Sequence, residues 1–291
     1  MALAADVRPE LHRYCARLMG SVIDGEDVVQ DTLLRALVAL QDVDDPQDLP
    51  PLRPWLFRVA HNRAIDLLRG RSVRQADTLD DAAEIADVAQ PDPLEALMRQ
   101  EAVATAVSRF GALPILQRSV VVLKDVLDES LAEIAALLDL SIDAVKAHLA
   151  RGRAGLRQIN AQAAAAGDAA PPSEAVARYV RLFNQRDWAA LRALLADDVR
   201  LSQSGHPLRV GREDVGLFFT IYAESPEVWL VPAWLEGQEV IAVFESRGEV
   251  RPSYVMWLEW VDGRIAFIRD YRYVRYVIAD AEVALTQGAV R

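Results

Sequence analysis

The sequence predicts a multidomain chain, with two all-α domains followed by an α+β domain built on a curved sheet. Three observations predict it. Apolar residues recur at helical spacing as far as about residue 158. The stretch 161–172 (AQAAAAGDAAPP) then breaks that pattern with alanines and two prolines, the composition of a tether. Beyond it, short runs rich in Val, Ile, Trp and Tyr are separated by turn dipeptides such as Asp262-Gly263, the pattern of hairpins. The expected divisions are a helical domain over 1–75, an acidic linker over 76–101, a second helical domain over 102–160, the tether over 161–172 and the α+β domain over 173–291.

In the first domain, residues 10–19 read as a short helix. Gly25 precedes a longer one over 26–40 (EDVVQDTLLRALVAL), whose first turn is acidic, as suits the positive end of a helix dipole. Residues 41–53, rich in Asp and Pro, read as a loop, and Pro54 opens a long helix, PWLFRVAHNRAIDLLRGR. Phe57, Ala60, Ala64 and Leu68 share its apolar side, while Arg58, Asn62, Asp66 and Arg69 share a polar one.

The second domain, from about 94 to 158, ends in a helix-turn-helix pattern. Residues 130–138 (SLAEIAALL) supply a packing helix, Asp139-Leu140-Ser141 a turn, and Ser141 a cap for the helix over 141–157. In that last helix Val145, Leu149 and Leu156 fall on one face. Lys146, Ala150, Arg153 and Arg157 fall on another, with Arg151 beside them. A narrow stripe of cationic and small residues fits a DNA major groove, and the plainer alternative is an amphipathic hairpin with a solvated basic face.

The net charge of −11 does not exclude DNA, because its distribution is uneven. Residues 76–101 hold eight acidic residues against one basic, whereas residues 142–157 hold four basic against Asp143 alone. The local field governs contact with phosphate. The single cysteine, Cys15, makes neither an intramolecular disulfide nor a metal site and reads as a small buried apolar residue. The start MALAADVRPELHR lacks a basic segment followed by an apolar run, and no uncharged apolar stretch approaches a membrane span. A cytoplasmic location with no membrane contact, no cofactor and no metal is expected.

The α+β domain opens with helices over 174–184 and 188–195. A strand over 199–202 and a helix over 212–223 follow, then strands over 228–235, 239–246, 253–261 and 264–273, expected to form an antiparallel sheet. Turns are expected at Glu236-Gly237, Arg247-Gly248 and Asp262-Gly263.

Read together, the helical motifs resemble a known family. Glu26-Asp27-Val28-Val29-Gln30-Asp31-Thr32 is similar to the motif of region two in bacterial sigma factors, residues 54–69 resemble the helix that follows it, and residues 113–157 resemble region four. These ordered motifs, over 6–158, resemble the extracytoplasmic-function (ECF) group, which has these two regions alone. The resemblance implies a non-enzymatic chain that binds core RNA polymerase and promoter DNA. It implies that Glu26, Asp27, Gln30 and Asp31, beside the apolar stripe Val28, Leu33, Leu34 and Leu37, dock on a basic coiled coil of polymerase, where opposite charge sets register and encounter rate.

It also implies that Trp55, Arg58, His61, Asn62, Arg63, Asp66 and Arg69 serve the minus-ten element. Asn62 and Arg63 would meet the non-template strand, and Trp55 and His61 would offer rings to melted bases, with a core position the alternative for Trp55. Loop 41–53 would receive a flipped-out base. Ser141, Asp143, Lys146, Arg151, Arg153 and Arg157 would serve the minus-thirty-five element, Arg157 through phosphate. Asp77, Asp80, Asp81, Glu84 and Asp87 would suit a basic tunnel in polymerase.

The phrase Asp187-Trp188-Ala189-Ala190-Leu191, followed by Leu194-Leu195-Ala196-Asp197-Asp198-Val199, resembles the opening of the SnoaL/ketosteroid-isomerase-like cone. In ECF factors with this fused domain the resemblance implies control in cis, with no dedicated anti-sigma factor. The DGGGK motif of one such group is absent where this chain reads QSGHPL over 203–208. His206, Trp229, Trp234, Tyr254, Trp257 and Asp270 are candidates for a pocket taking a small apolar ligand. Two other classes compete: a ligand-sensing regulator that binds DNA without polymerase, and a cone-fold enzyme joined to a DNA-binding module.

Overall fold

The computed structural model describes residues 2–41, 51–75, 93–162 and 170–286. The chain divides into two compact units, Met1–Ala164 and Ala165–Arg291. Most of the tether, most of loop 41–53, and Asp77, Asp80, Asp81, Glu84 and Asp87 lie outside the described residues.

The first unit is helical: α1 (Ala2–Met19), α2 (Val22–Gln41), α3 (Leu52–Gln75), α4 (Pro93–Ala104), a 3-10 segment (Val107–Ala112), α5 (Ile115–Val121), α6 (Leu131–Leu138) and α7 (Ile142–Gln162). A π-helical turn, Val122–Val126, continues α5. Gly25, expected to precede a helix, lies inside α2 instead. It is there for packing. A Cβ at Gly25 would stand 2.5 Å from the backbone of Ala16, so α1 and α2 cross with almost no gap. Gly25→Ala should therefore cost about 1–3 kcal/mol, read as a lowered urea midpoint, because two backbones would have to separate.

One apolar core runs through this unit. Leu11, Tyr14 and Leu18 of α1 join Phe57 and Ala60 of α3, Phe110 of the 3-10 segment, Val120 and Val121 of α5, Ile134 of α6, and Val145 and Leu149 of α7. Sequence-local devices set the α6–α7 turn. Ser130 and Glu133 form a reciprocal capping box, Asp139 ends α6 in the left-handed region (φ 56°), and Ser141 Oγ accepts from Ala144 N–H at 3.1 Å. Gly152 of α7 meets α5 closely: a Cβ there would fall 2.5 Å from Val121 Cγ2.

The second unit comprises α8 (Glu174–Asn184), α9 (Trp188–Ala193), β1 (Leu195–Gln203), β2 (Arg209–Val210), α10 (Arg212–Gly216), α11 (Phe218–Ala223), β3 (Trp229–Leu235), β4 (Gln238–Phe244), β5 (Tyr254–Val261), β6 (Arg264–Asp270) and β7 (Val283–Leu285). Sheet order is β2-β1-β6-β5-β4-β3-β7. The sheet is mixed rather than antiparallel throughout, because β1 pairs parallel with β6. That pairing follows from the long path between them, which leaves β3–β5 to fill the sheet by hairpins. The hairpin turns sit where the dipeptides predict: Glu236 and Gly237 (φ 53° and 80°) and Asp262 and Gly263 (φ 50° and 73°) both take the left-handed geometry of type I′ turns.

Candidate nucleic-acid interface

On α3, Arg58, Asn62, Asp66 and Arg69 are exposed, and Phe57, Ala60 and Ala64 are buried. One of the two rings assigned to DNA, His61, is not available. His61 is buried on the apolar side between Phe57 and Ala64, with Nδ1 2.7 Å from Tyr14 Oη. Trp55 is half-buried against the core. Arg63 is half-buried and ion-paired with Asp31 of α2, so it braces two helices. Arg58 Nη2 donates to the Ala136 carbonyl of α6 at 2.7 Å. The exposed polar stripe on α3 thus reduces to Asn62, Asp66 and Arg69, with Arg58 at its start.

Burial pushes the His61 pKa down to about 4. Its folded value lies below the ordinary 6.5, so protonation favours unfolding. The stability is fully present above about pH 6.5 and is lost as pH falls toward 4, at most about 3 kcal/mol. Urea unfolding between pH 7 and 4 should show this loss, and His61→Leu should remove that part of the slope.

On α7 the apolar stripe Val145, Leu149 and Leu156 is buried as the spacing predicts. Ser141, Asp143, Lys146 and Arg157 are exposed, and Arg151 is half-exposed with Nη2 3.4 Å from His148 Nδ1. Lys146 Nζ sits 3.6 Å from the Asp143 carboxylate, a surface pair that DNA phosphate can displace. Arg153 departs from the expectation. Its Nε and Nη2 donate to Asp125 at 2.9 and 2.6 Å, and the Asp125 side chain is fully buried. Arg153 therefore neutralises an interior carboxylate and is not presented to a base. Lys146→Ala should weaken DNA binding and lower the salt slope by about one if Lys146 meets phosphate, measured by anisotropy across a salt series.

On α2, Glu26 also departs. It is fully buried and ion-paired with Arg8 at 2.6 Å, so it holds α1 to α2 rather than facing a partner. Val28 is buried and Leu33 is half-buried, yet Leu34, Leu37 and Val38 are exposed by 62%, 54% and 62%. Half-exposed Asp27, Gln30 and Asp31 precede Leu34 and Val38 along one helical face, which therefore carries acids at one end and bare aliphatics at the other.

In the second unit the six pocket candidates do not converge. The register Trp257↔Arg269 beside Met256↔Asp270 puts Trp257 on the opposite sheet face from Asp270, where it meets Phe267 edge-on. Trp229 stacks on Phe244 at 4.4 Å, on that same opposite face. The Trp234 indole N–H donates to the Ala170 carbonyl at 2.8 Å, and exposed His206 rests on Tyr273. Tyr254 and Asp270 do share the interior. Tyr254 Oη is 2.9 Å from Tyr222 Oη, and Asp270 accepts from Gln203 Nε2 at 2.7 Å and from Arg272 N–H at 3.0 Å. Burial raises the Asp270 carboxyl to about 6. Sequence reading missed Tyr222, Gln203, Arg118 and Asp125. Arg118 carries one legible signal, a lone cation opening the apolar run Val120–Leu123.

Three family models match separate stretches of the chain. Residues 3–74 match the family model Sigma-70 region 2, residues 107–156 match Sigma-70, region 4, and residues 176–268 match the SnoaL-like domain. RNA polymerase sigma factor CnrH of Cupriavidus metallidurans is 39% identical over 139 residues, covering 46% of this chain and 71% of CnrH. ECF RNA polymerase sigma factor SigG of Mycobacterium tuberculosis is 32% identical over 204 residues, covering 62% of this chain and 54% of SigG. Among solved structures, the ECF sigma factor SigJ of Mycobacterium tuberculosis matches at 20% identity over 96% of this chain and 98% of SigJ, with a TM-score of 0.36. With its region-two and region-four matches and its identity to CnrH, this chain belongs to the extracytoplasmic-function sigma factors of bacterial RNA polymerase.

Proposed function

We propose that this chain directs core RNA polymerase to promoters in the cytoplasm, reading a minus-ten element with α3 and a minus-thirty-five element with α7, and that its SnoaL-like domain regulates it in cis. The carrying observation is the α2 face, where Asp27, Gln30 and Asp31 adjoin exposed Leu34 and Val38. A regulator that binds DNA alone has no use for such a face. Leu34→Ser with Val38→Ser should weaken association with core polymerase at least about tenfold while leaving the melting temperature unchanged, since both side chains are already in water. Unchanged association would overturn the assignment.

For DNA, Asn62 and Arg69 are proposed to contact the opened minus-ten strand. Ser141, Asp143, Lys146, Arg151 and Arg157 are proposed to contact the upstream element, Ser141 doing so while it caps α7. Control in cis stands in place of a separate anti-sigma factor, although the solved structures of RpoE with NepR and of CnrH with CnrY show such partners for those proteins. Run-off transcription by the full chain and by residues 1–164 tests this: equal activity would remove the regulatory role. A second reading, response to a small molecule, is favoured by Tyr179. Its fully buried hydroxyl has no hydrogen-bond partner among the described residues and lies near Asp270 and Tyr254. An enzymatic role is not proposed, because both Asp270 oxygens already hold structural hydrogen bonds.

A further inference from the structure

The first turn of α7 leaves an aliphatic side chain in water. Among the described residues from Leu131 to Gln162, every leucine, valine and isoleucine is buried or half-buried except Ile142, which is 45% exposed. Leu137, Leu138 and Leu140 pack on the core that holds Val145 and Leu149, and Ile142 is not part of that cluster. The local backbone fixes this arrangement. Leu140 N–H donates to the Ala135 carbonyl at 3.0 Å. Ser141 holds the first turn twice, its Oγ accepting from Ala144 N–H at 3.1 Å and its carbonyl accepting from Val145 N–H at 3.0 Å. Ile142 is therefore held as the opening residue of α7, one turn before exposed Lys146. Burial does not account for an isoleucine there, and neither does helix propensity, which favours other residues in a first turn.

We infer that Ile142 is a specificity-determining residue for the upstream promoter element, and that it reads the 5-methyl group of a thymine in the major groove. In a helix-turn-helix the second helix meets base edges with its N-terminal residues. Among the four bases only thymine offers an apolar group on that edge, and an apolar side chain is what meets it. The charged neighbours of Ile142 leave this role to it. Arg153 is withdrawn into its pair with Asp125. Asp143, its side chain 93% exposed, is an acceptor and lies 3.6 Å from Lys146 Nζ. Both of these groups suit polar edges or phosphate, and contacts to phosphate set register without carrying sequence. A β-branched side chain in a helix also holds essentially one rotamer, so Ile142 presents its methyl surface with little further loss of entropy on binding. The cationic residues of α7 thus position the helix, and an uncharged residue at its tip discriminates.

This role rests on the assignment of α7 to the minus-thirty-five element. Holoenzyme assembled from core polymerase and the full chain tests it. A pool of duplexes randomised over the upstream element gives the selected sequence, and each thymine in it is then replaced singly by deoxyuridine, which lacks only the 5-methyl group. One such replacement should lower holoenzyme affinity about three- to fivefold, the gain from burying one methyl group. Ile142→Ala should bind that duplex and its deoxyuridine form equally, whereas Ile142→Val should keep part of the difference. Both variants should melt at the temperature of the parent chain, because Ile142 lies outside the core. A selected element without thymine, no effect of any deoxyuridine, or an effect that persists in Ile142→Ala overturns the methyl reading and leaves the assignment of α7 standing. Ile142→Ala that loses affinity on every duplex alike makes Ile142 a polymerase contact and overturns it too. Holoenzyme that selects no upstream sequence at all removes the assignment of α7 itself, and the role of Ile142 with it.

Discussion

Arg153→Ala should destabilise the helical unit by about 3–5 kcal/mol, read from the urea midpoint, and should not relax the choice of promoter base. The carboxylate of Asp125 lies at the C-terminal side of α5 with none of its side chain exposed, and Arg153 covers it with two hydrogen bonds while remaining only 14% exposed itself. Removing the guanidinium leaves a buried charge whose desolvation is no longer offset. The paired replacement Asp125→Leu with Arg153→Met should recover most of the loss, because an apolar pair of similar volume needs no compensation. A soluble, fully stable Arg153→Ala chain with altered sequence preference would return Arg153 to the DNA-reading stripe.

Asn62→Ala should lower open-complex formation about 10–100-fold without changing stability, corresponding to about 1–3 kcal/mol for a lost contact to an unpaired base. The side chain is exposed and central on the polar stripe of α3, between Arg58 and Asp66. Permanganate footprinting of the melted region, compared with polymerase retention on closed promoter DNA, separates this effect from docking. Loss of both together would place Asn62 in polymerase or duplex binding instead.

Helical spacing carried much of the architecture. Val145, Leu149 and Leu156 are buried because α7 presents one face to α5, and that much is periodicity alone. Ser141 caps α7 as its position before the helix indicates, and the turn dipeptides Glu236-Gly237 and Asp262-Gly263 take the conformations their side chains allow. What periodicity cannot give is which charged residue is answered by a distant partner. Glu26 and Arg153 sit on faces that look polar in projection, yet Arg8 and Asp125, 18 and 28 residues away, draw them inward. Leu34 and Leu37 look like core by their spacing, yet both stand exposed, because a one-dimensional pattern does not say which apolar positions the fold covers. Gly25 is legible as a helix boundary or as a close crossing, and only the approach of Ala16 decides between them. The second unit's pocket failed for a related reason: strand parity puts Trp257 and Asp270 on opposite faces once their register is known.

Packing of α3 against the rest of the helical unit divides its residues. Arg58 holds a carbonyl of α6 and Arg53 bridges to Glu129, so the start of this helix is part of a seam while its middle remains open to solvent.

Run-off transcription with purified core polymerase, over a pool of templates that vary both promoter elements, tests the central claim most directly. The account predicts transcripts that require core polymerase together with this chain, depend on both elements, and fall away when Asn62 or the Leu34–Val38 face is substituted. DNA binding by the chain alone, with no promoter-dependent transcript at any salt concentration, would contradict it.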